Sequence, residues 1–150
     1  MPLKKSRLFL DTSVVFAAFL SPTGGARKLF QLGEAGFLQL IVGPAVLREC
    51  EKMARRKIPA SLPILAQLLA STALETSPAP TKNQINTANT FVQYEPDAYV
   101  LAEAMLANPD WFVTHDKEHF LKHRGRINLS FEIGTPGDVL QRFKEDYSSI

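Results

Sequence analysis

The chain has 150 residues, of which 45% are hydrophobic and 21% charged, with 17 lysines and arginines against 15 acids and a formal net charge of +2. This is ordinary globular usage for one domain over residues 1–150, and it excludes a disordered tail, a collagen, a coiled coil and a strongly basic nucleic-acid coat. The longest apolar run near the N-terminus, Ser13 to Leu20, is too short to cross a bilayer and has no signal-peptide cleavage pattern after it, so no membrane association is expected; the lone Cys50 suits a reducing cytoplasm.

In chain order, Leu8 to Leu10 reads as a short buried strand. Thr12-Ser13 is a helix N-cap signal ahead of a helix from Val14 to Leu20. Ser21 to Gly25 is a loop, and Ala26 to Ala35 has helical spacing with Gly36 as its C-cap. Phe37 to Val42 is a second apolar strand, and Gly43-Pro44 opens a helix to Lys57, with Val46, Leu47, Cys50 and Met53 as its apolar stripe. Leu62 to Leu69 is helical, Ala73 to Thr76 is a short strand, Ser77 to Pro80 is a loop, and Thr87 to Val92 is weakly helical. Pro96 to Ala107 is a strong helix. Trp111 to Val113 is a strand, Lys117 to His123 a helix, Ile127 to Phe131 a strand and Pro136 to Phe143 a last amphipathic helix.

Strands therefore alternate with helices along the chain. That pattern predicts an α/β fold, a mostly parallel sheet with helices on both faces, and a ligand site outside the carboxyl ends of the strands.

Acids stand where that rim is expected. Asp11 and Asp116 follow buried strands, Glu49 lies in the first turns of a helix that follows a strand, and Asp97 opens a strong helix. Singly, each has a duller explanation: Asp11 and Asp116 as N-caps, Asp97 as an acid favoured by a helix dipole, Glu49 as a surface acid. Together, four converging carboxylates raise one another's pKa and call for a hard divalent cation, Mg²⁺ or Mn²⁺, one ion or two. Such ions neutralise charge on a phosphoryl group.

Arg7-Leu-Phe-Leu-Asp11-Thr-Ser13, Val46-Leu-Arg-Glu49, Asp97-Ala-Tyr-Val-Leu-Ala-Glu-Ala104, Trp111-Phe-Val-Thr-His-Asp116-Lys-Glu-His-Phe120 and Ile133-Gly-Thr-Pro136-Gly-Asp-Val-Leu140 occur in one order. The set resembles the PIN domain family, in particular the prokaryotic VapC-like toxin components of toxin–antitoxin pairs. The resemblance implies a Rossmann-like three-layer sandwich with a five-stranded parallel sheet. It also implies a metal-dependent endoribonuclease that leaves a 3′-hydroxyl and a 5′-phosphate. It carries the acidic set onto Asp11, Glu49, Asp97 and Asp116 as catalytic residues and metal ligands, with hydroxyls at Ser13 and Thr114 in support. An RNA substrate, an antitoxin placing a basic residue in the acidic groove, and a homodimer formed through early helices are further implications. The other readings are a PIN-fold module that binds RNA or antitoxin with little turnover, and a different Rossmann-like phosphoryl-transfer class. The haloacid-dehalogenase pattern of a second Asp two residues after the first is absent, since position 13 is Ser.

Glu51 is a near alternative to Glu49, but the two lie about 200° apart around a helix, so only one faces the site. Glu103, six residues after Asp97, turns away and reads as structural. His115, His119 and His123 are spaced by four but form no zinc motif; they read as surface histidines, with His119 packed near the site. Basic residues flank the acids. Lys52, Arg56, Arg124 and Arg126 are candidate phosphate-backbone contacts, against the commoner meaning of charge runs as solvated helix faces.

Overall fold

A computed structural model describes residues 4–127 and 129–148. Five strands, β1 (Ser6–Leu10), β2 (Leu38–Val42), β3 (Glu75–Thr76), β4 (Trp111–Val113) and β5 (Glu132–Gly134), form one sheet in the order β3-β2-β1-β4-β5. Every pairing is parallel. Seven α-helices cover it among the described residues: α1 (Thr12–Leu20), α2 (Gly25–Glu34), α3 (Pro44–Lys57), α4 (Leu62–Ser71), α5 (Lys82–Ala88), α6 (Glu95–Ala107) and α7 (Pro136–Ser148). The architecture is the expected α/β sandwich.

The central strands are buried on both faces toward their carboxyl ends, which explains the apolar runs there. Leu8, Phe9 and Leu10 of β1, Leu40, Ile41 and Val42 of β2, and Phe112 and Val113 of β4 have no exposed surface. Phe9 and Phe112 face each other across the β1–β4 pair and stack with centroids 5.7 Å apart. Strand order reverses at this pair: β2 and β3 lie on one side of β1, β4 and β5 on the other. The carboxyl ends of β1 and β4 are therefore the crevice where such sheets bind ligands.

Helix ends follow local chemistry. α2 closes in a Schellman motif: Gly36 N–H donates to the Gly33 carbonyl, Phe37 N–H donates to the Leu32 carbonyl, and Gly36 sits at φ +87°, where a Cβ would be strained. Pro44 starts α3, where its missing N–H costs nothing. Thr81 and Gln84 form a capping box at α5.

Several boundaries differ from the sequence expectations. The strand expected over Ile127–Phe131 is instead β5 at Glu132–Gly134; Ile127 and Phe131 are buried, but outside any strand, and residue 128 lies outside the described residues. The helix expected over Lys117–His123 is a series of turns ending in a 3₁₀ turn at Leu121–His123. The Asp116 side chain accepts from His119 N–H at 3.0 Å, a local bond that competes with regular helix. The weak helix expected at Thr87–Val92 lies earlier, as α5. α1 is capped by Asp11, so Thr12 and Ser13 belong to the helix. α7 runs on to Ser148 instead of ending at Phe143.

Candidate active site

Asp11 directly follows β1 and Thr114 directly follows β4, and these two residues meet. Asp11 is 9% exposed. Its Oδ1 accepts from Thr12 N–H at 2.9 Å, and its Oδ2 accepts from the hydroxyls of Thr114 at 2.8 Å and Ser13 at 3.2 Å. Ser13 and Thr114 also hold the chain leaving β4: His115 N–H donates to Ser13 Oγ at 3.0 Å, and Asp116 N–H donates to Thr114 Oγ1 at 2.9 Å. The two hydroxyls thus lock Asp11 to the turn that carries Asp116. Burial pushes the Asp11 carboxyl above its ordinary pKa, the three donors pull it back, and the charge of Asp116 adds to the rise.

Asp97 reaches the same place from the first turn of α6. Burial raises its pKa to about 6; His119 opposes the rise, while Asp116, Asp11 and Glu49 add to it. Asp97 is therefore close enough to feel the charge of the other three acids, although the four come from distant stretches of chain. Asp97 Oδ2 is buried and makes no well-aligned hydrogen bond among the described residues; its ion-pair partner is the His119 imidazole. Glu49 projects from the exposed side of α3, and its Oε2 accepts from Thr12 Oγ1 at 3.2 Å. Glu51 is turned away and pairs with Arg55 at 2.6 Å.

His119 has a more direct place than the sequence suggested. Its Nδ1 lies 3.0 Å from Asp97 Oδ2 and 3.1 Å from Asp116 Oδ2. Asp97, Asp116 and His119 offer three ligand atoms, all within 4.8 Å of one another. The Asp116-to-His119 spacing of three is the one local hint, since a tight turn brings such residues together; the approach of Asp97 is a long-range event.

The basic candidates separate. Arg126 lines a cleft with Asp97 and His119. Lys52 lines another with Glu49 and Arg48. Arg56 is exposed on α3. Arg124 lies apart from the acids, 3.4 Å from Asp138 of α7, in a cleft with Trp111.

The profile of the PIN domain family matches residues 7–118, a stretch that holds all four acids. The chain belongs to the PIN domain family. Solved structures share the PIN fold at low identity. VapBC2 from Rickettsia felis, bound to a DNA fragment from its promoter, superposes with a TM-score of 0.65 at 12% identity, covering 86% of this chain and 98% of that one. DNA-bound VapBC from Salmonella typhimurium gives 0.66 at 12%, covering 87% and 98%. VapC20 from Mycobacterium tuberculosis, a toxin that cleaves the sarcin–ricin loop, gives 0.57 at 15%, covering 82% and 97%. No curated protein matches the chain significantly in sequence.

This PIN domain has one further acid at its core. Glu103 of α6 has no exposed surface, and its Oε2 accepts from Ala45 N–H at the start of α3 at 2.9 Å, while its Oε1 has no partner among the described residues. Burial raises its pKa to about 7; the Ala45 bond and the charge of Arg48 oppose the rise. A Cβ at Gly43 would collide with the Glu103 carboxyl, so glycine here makes room for it. As expected from its spacing, Glu103 is structural: it caps α3.

Proposed function

We propose that this PIN domain is a divalent-metal-dependent endoribonuclease that hydrolyses RNA phosphodiester bonds, and that it is the toxin of a toxin–antitoxin pair. The observation that carries the nuclease reading is the meeting of Asp97, Asp116 and His119 at one point, within the field of Asp11 and Glu49. Carboxylates that repel one another in a partly buried site are costly unless a cation compensates them. Oxygen donors from several acids suit Mg²⁺ or Mn²⁺, and the imidazole nitrogen is a donor that Mn²⁺ also accepts.

Asp97, Asp116 and His119 would hold the ion, with Asp11 and Glu49 completing the set directly or through water. The cation supplies charge neutralisation on the phosphoryl oxygens and a lowered pKa for water. The protein's own part is placement. The Thr114 and Ser13 hydroxyls fix the Asp11 carboxylate, so it does not reorganise when charge develops nearby. The Thr12 hydroxyl steadies Glu49. Arg126 and Lys52, each lining a cleft beside a site acid, would bind phosphates flanking the scissile one.

The toxin assignment is supported by the shared fold with VapBC complexes and with a cleaving VapC toxin. A basic antitoxin side chain in the acidic groove, and a homodimer, belong to the same proposal. Among the described residues no helix is long and apolar enough to cross a membrane.

The purified chain is expected to cleave RNA with Mg²⁺ or Mn²⁺ present, to stop in EDTA, and to resume when the metal is restored. Cleavage that persists in EDTA would contradict the proposal.

A further inference from the structure

A cleft adjoins the acids on the α6 side. Tyr94, the residue before α6, is 55% exposed. Its ring stacks on the His119 imidazole with centroids 5.2 Å apart and planes inclined by 27°. The same cleft, about 390 Å³, is lined by Phe91, His123, Arg126 and the site residue Asp97. An aromatic platform, a guanidinium and a candidate metal ligand thus share one depression.

These are the parts of a single-strand subsite. An unpaired base offers a π face that stacks on any aromatic side chain, whereas a base inside a duplex is already stacked and paired. A guanidinium in the same depression suits the adjoining phosphate. The stacked His119 ties the platform to the acids, so a base seated there places the next phosphate toward them.

We propose that this cleft is a nucleobase-binding subsite: an unpaired base beside the scissile phosphate stacks on Tyr94 while Arg126 holds the adjoining phosphate, so that single-stranded or looped RNA is taken and duplex is not. The inference rests on the nuclease reading above. It adds a binding residue, Tyr94, that sequence reasoning did not single out.

The test compares wild type, Tyr94→Ala, Tyr94→Phe and Tyr94→Trp on a short mixed-sequence oligoribonucleotide and on its duplex. Tyr94→Ala should raise KM for the single strand roughly ten-fold, with kcat within about two-fold, and Tyr94→Phe should behave as wild type. Mn²⁺ affinity, measured without RNA, should be the same in all four proteins. With Ca²⁺ replacing the catalytic metal, the added indole of Tyr94→Trp should be quenched by the single strand and not by the duplex. Wild-type cleavage kinetics in Tyr94→Ala, or an indole that ignores a bound strand, would overturn the subsite and leave the nuclease reading standing. A fall in Mn²⁺ affinity in Tyr94→Ala that matches its loss of activity would also overturn it, since Tyr94 would then only prop His119. A wild-type protein that neither binds nor cleaves RNA would remove the nuclease reading, and the subsite with it.

Discussion

Asp97→Asn and Asp116→Asn are each expected to lower RNA cleavage about a thousand-fold or more, the rate equivalent of about 4 kcal/mol in the barrier. Asp11→Asn should act in the same way. The amide keeps the size of the carboxyl and one oxygen, but it removes the charge that a cation site needs. Stability should move the other way. Burial raises the pKa of both Asp97 and Asp11, so in the metal-free protein their ionised forms cost folding free energy that a neutral amide does not. Asp97→Asn should therefore melt at a higher temperature than wild type at pH 7.5 without metal. A cleavage assay and a thermal melt on the same preparation read both effects. Retained cleavage in a contaminant-free preparation would remove these acids from the reaction. A lower melting temperature would show that they serve the fold.

Glu103→Gln is expected to change the pH dependence of stability more than any surface substitution. The carboxyl ionises near 4.5 in the unfolded chain and at about 7 in the fold. Between those values the folded state binds more protons than the unfolded state, so this group's contribution is fully present below about pH 4.5 and is lost as pH rises through 7. The slope is at most about 1.4 kcal/mol per pH unit, so the total difference reaches about 3 kcal/mol as an upper bound. Arg48, whose charge faces the carboxyl, reduces it. The Gln variant lacks the titration. Its stability relative to wild type should grow from pH 4.5 to pH 8 in chemical denaturation, and comparing the two proteins cancels the parallel contributions of Asp97 and Asp11. Denaturation curves that stay parallel across that range would show that Glu103 is ionised in the fold.

The fold was legible where the sequence carried uniform burial. Leu8–Leu10 of β1, Leu40–Val42 of β2 and Trp111–Val113 of β4 are continuous apolar runs because both sheet faces are covered, and Asp11 marks where β1 stops. β5 was legible through the family resemblance alone, which makes Ile133 onward a closing strand-to-helix segment: Glu132 and Gly134 are poor strand formers beside Ile133, and the strand is held by pairing with β4, including Glu132 N–H to the Asp110 carbonyl at 3.1 Å and Thr114 N–H to the Gly134 carbonyl at 2.9 Å. Ile127 to Phe131 showed the alternation of a strand, but the buried Ile127 and Phe131 lie outside any strand. The turn after Asp116 looked helical by composition, yet the Asp116 carboxylate captures the backbone that a helix would need.

The site divides along the same line. The four acids could be placed on one rim because parallel strands and the helices that follow them share that rim. The ring of His119 against Asp97, and Tyr94 against His119, depend on how the start of α6 meets the turn after β4. No short-range pattern encodes that meeting. Arg124 and Arg126, only two residues apart, looked equivalent in sequence; the loop turns one toward α7 and the other toward the acids.

Calorimetric titration of the metal-free protein with Mn²⁺ tests the centre of this account most directly, because it requires neither a substrate nor turnover. Wild type should show saturable binding that Asp97→Asn and Asp116→Asn abolish and that His119→Ala weakens. Equal binding heats in wild type and the two Asn variants, or no saturable binding in wild type, would contradict a metal centre built from these residues.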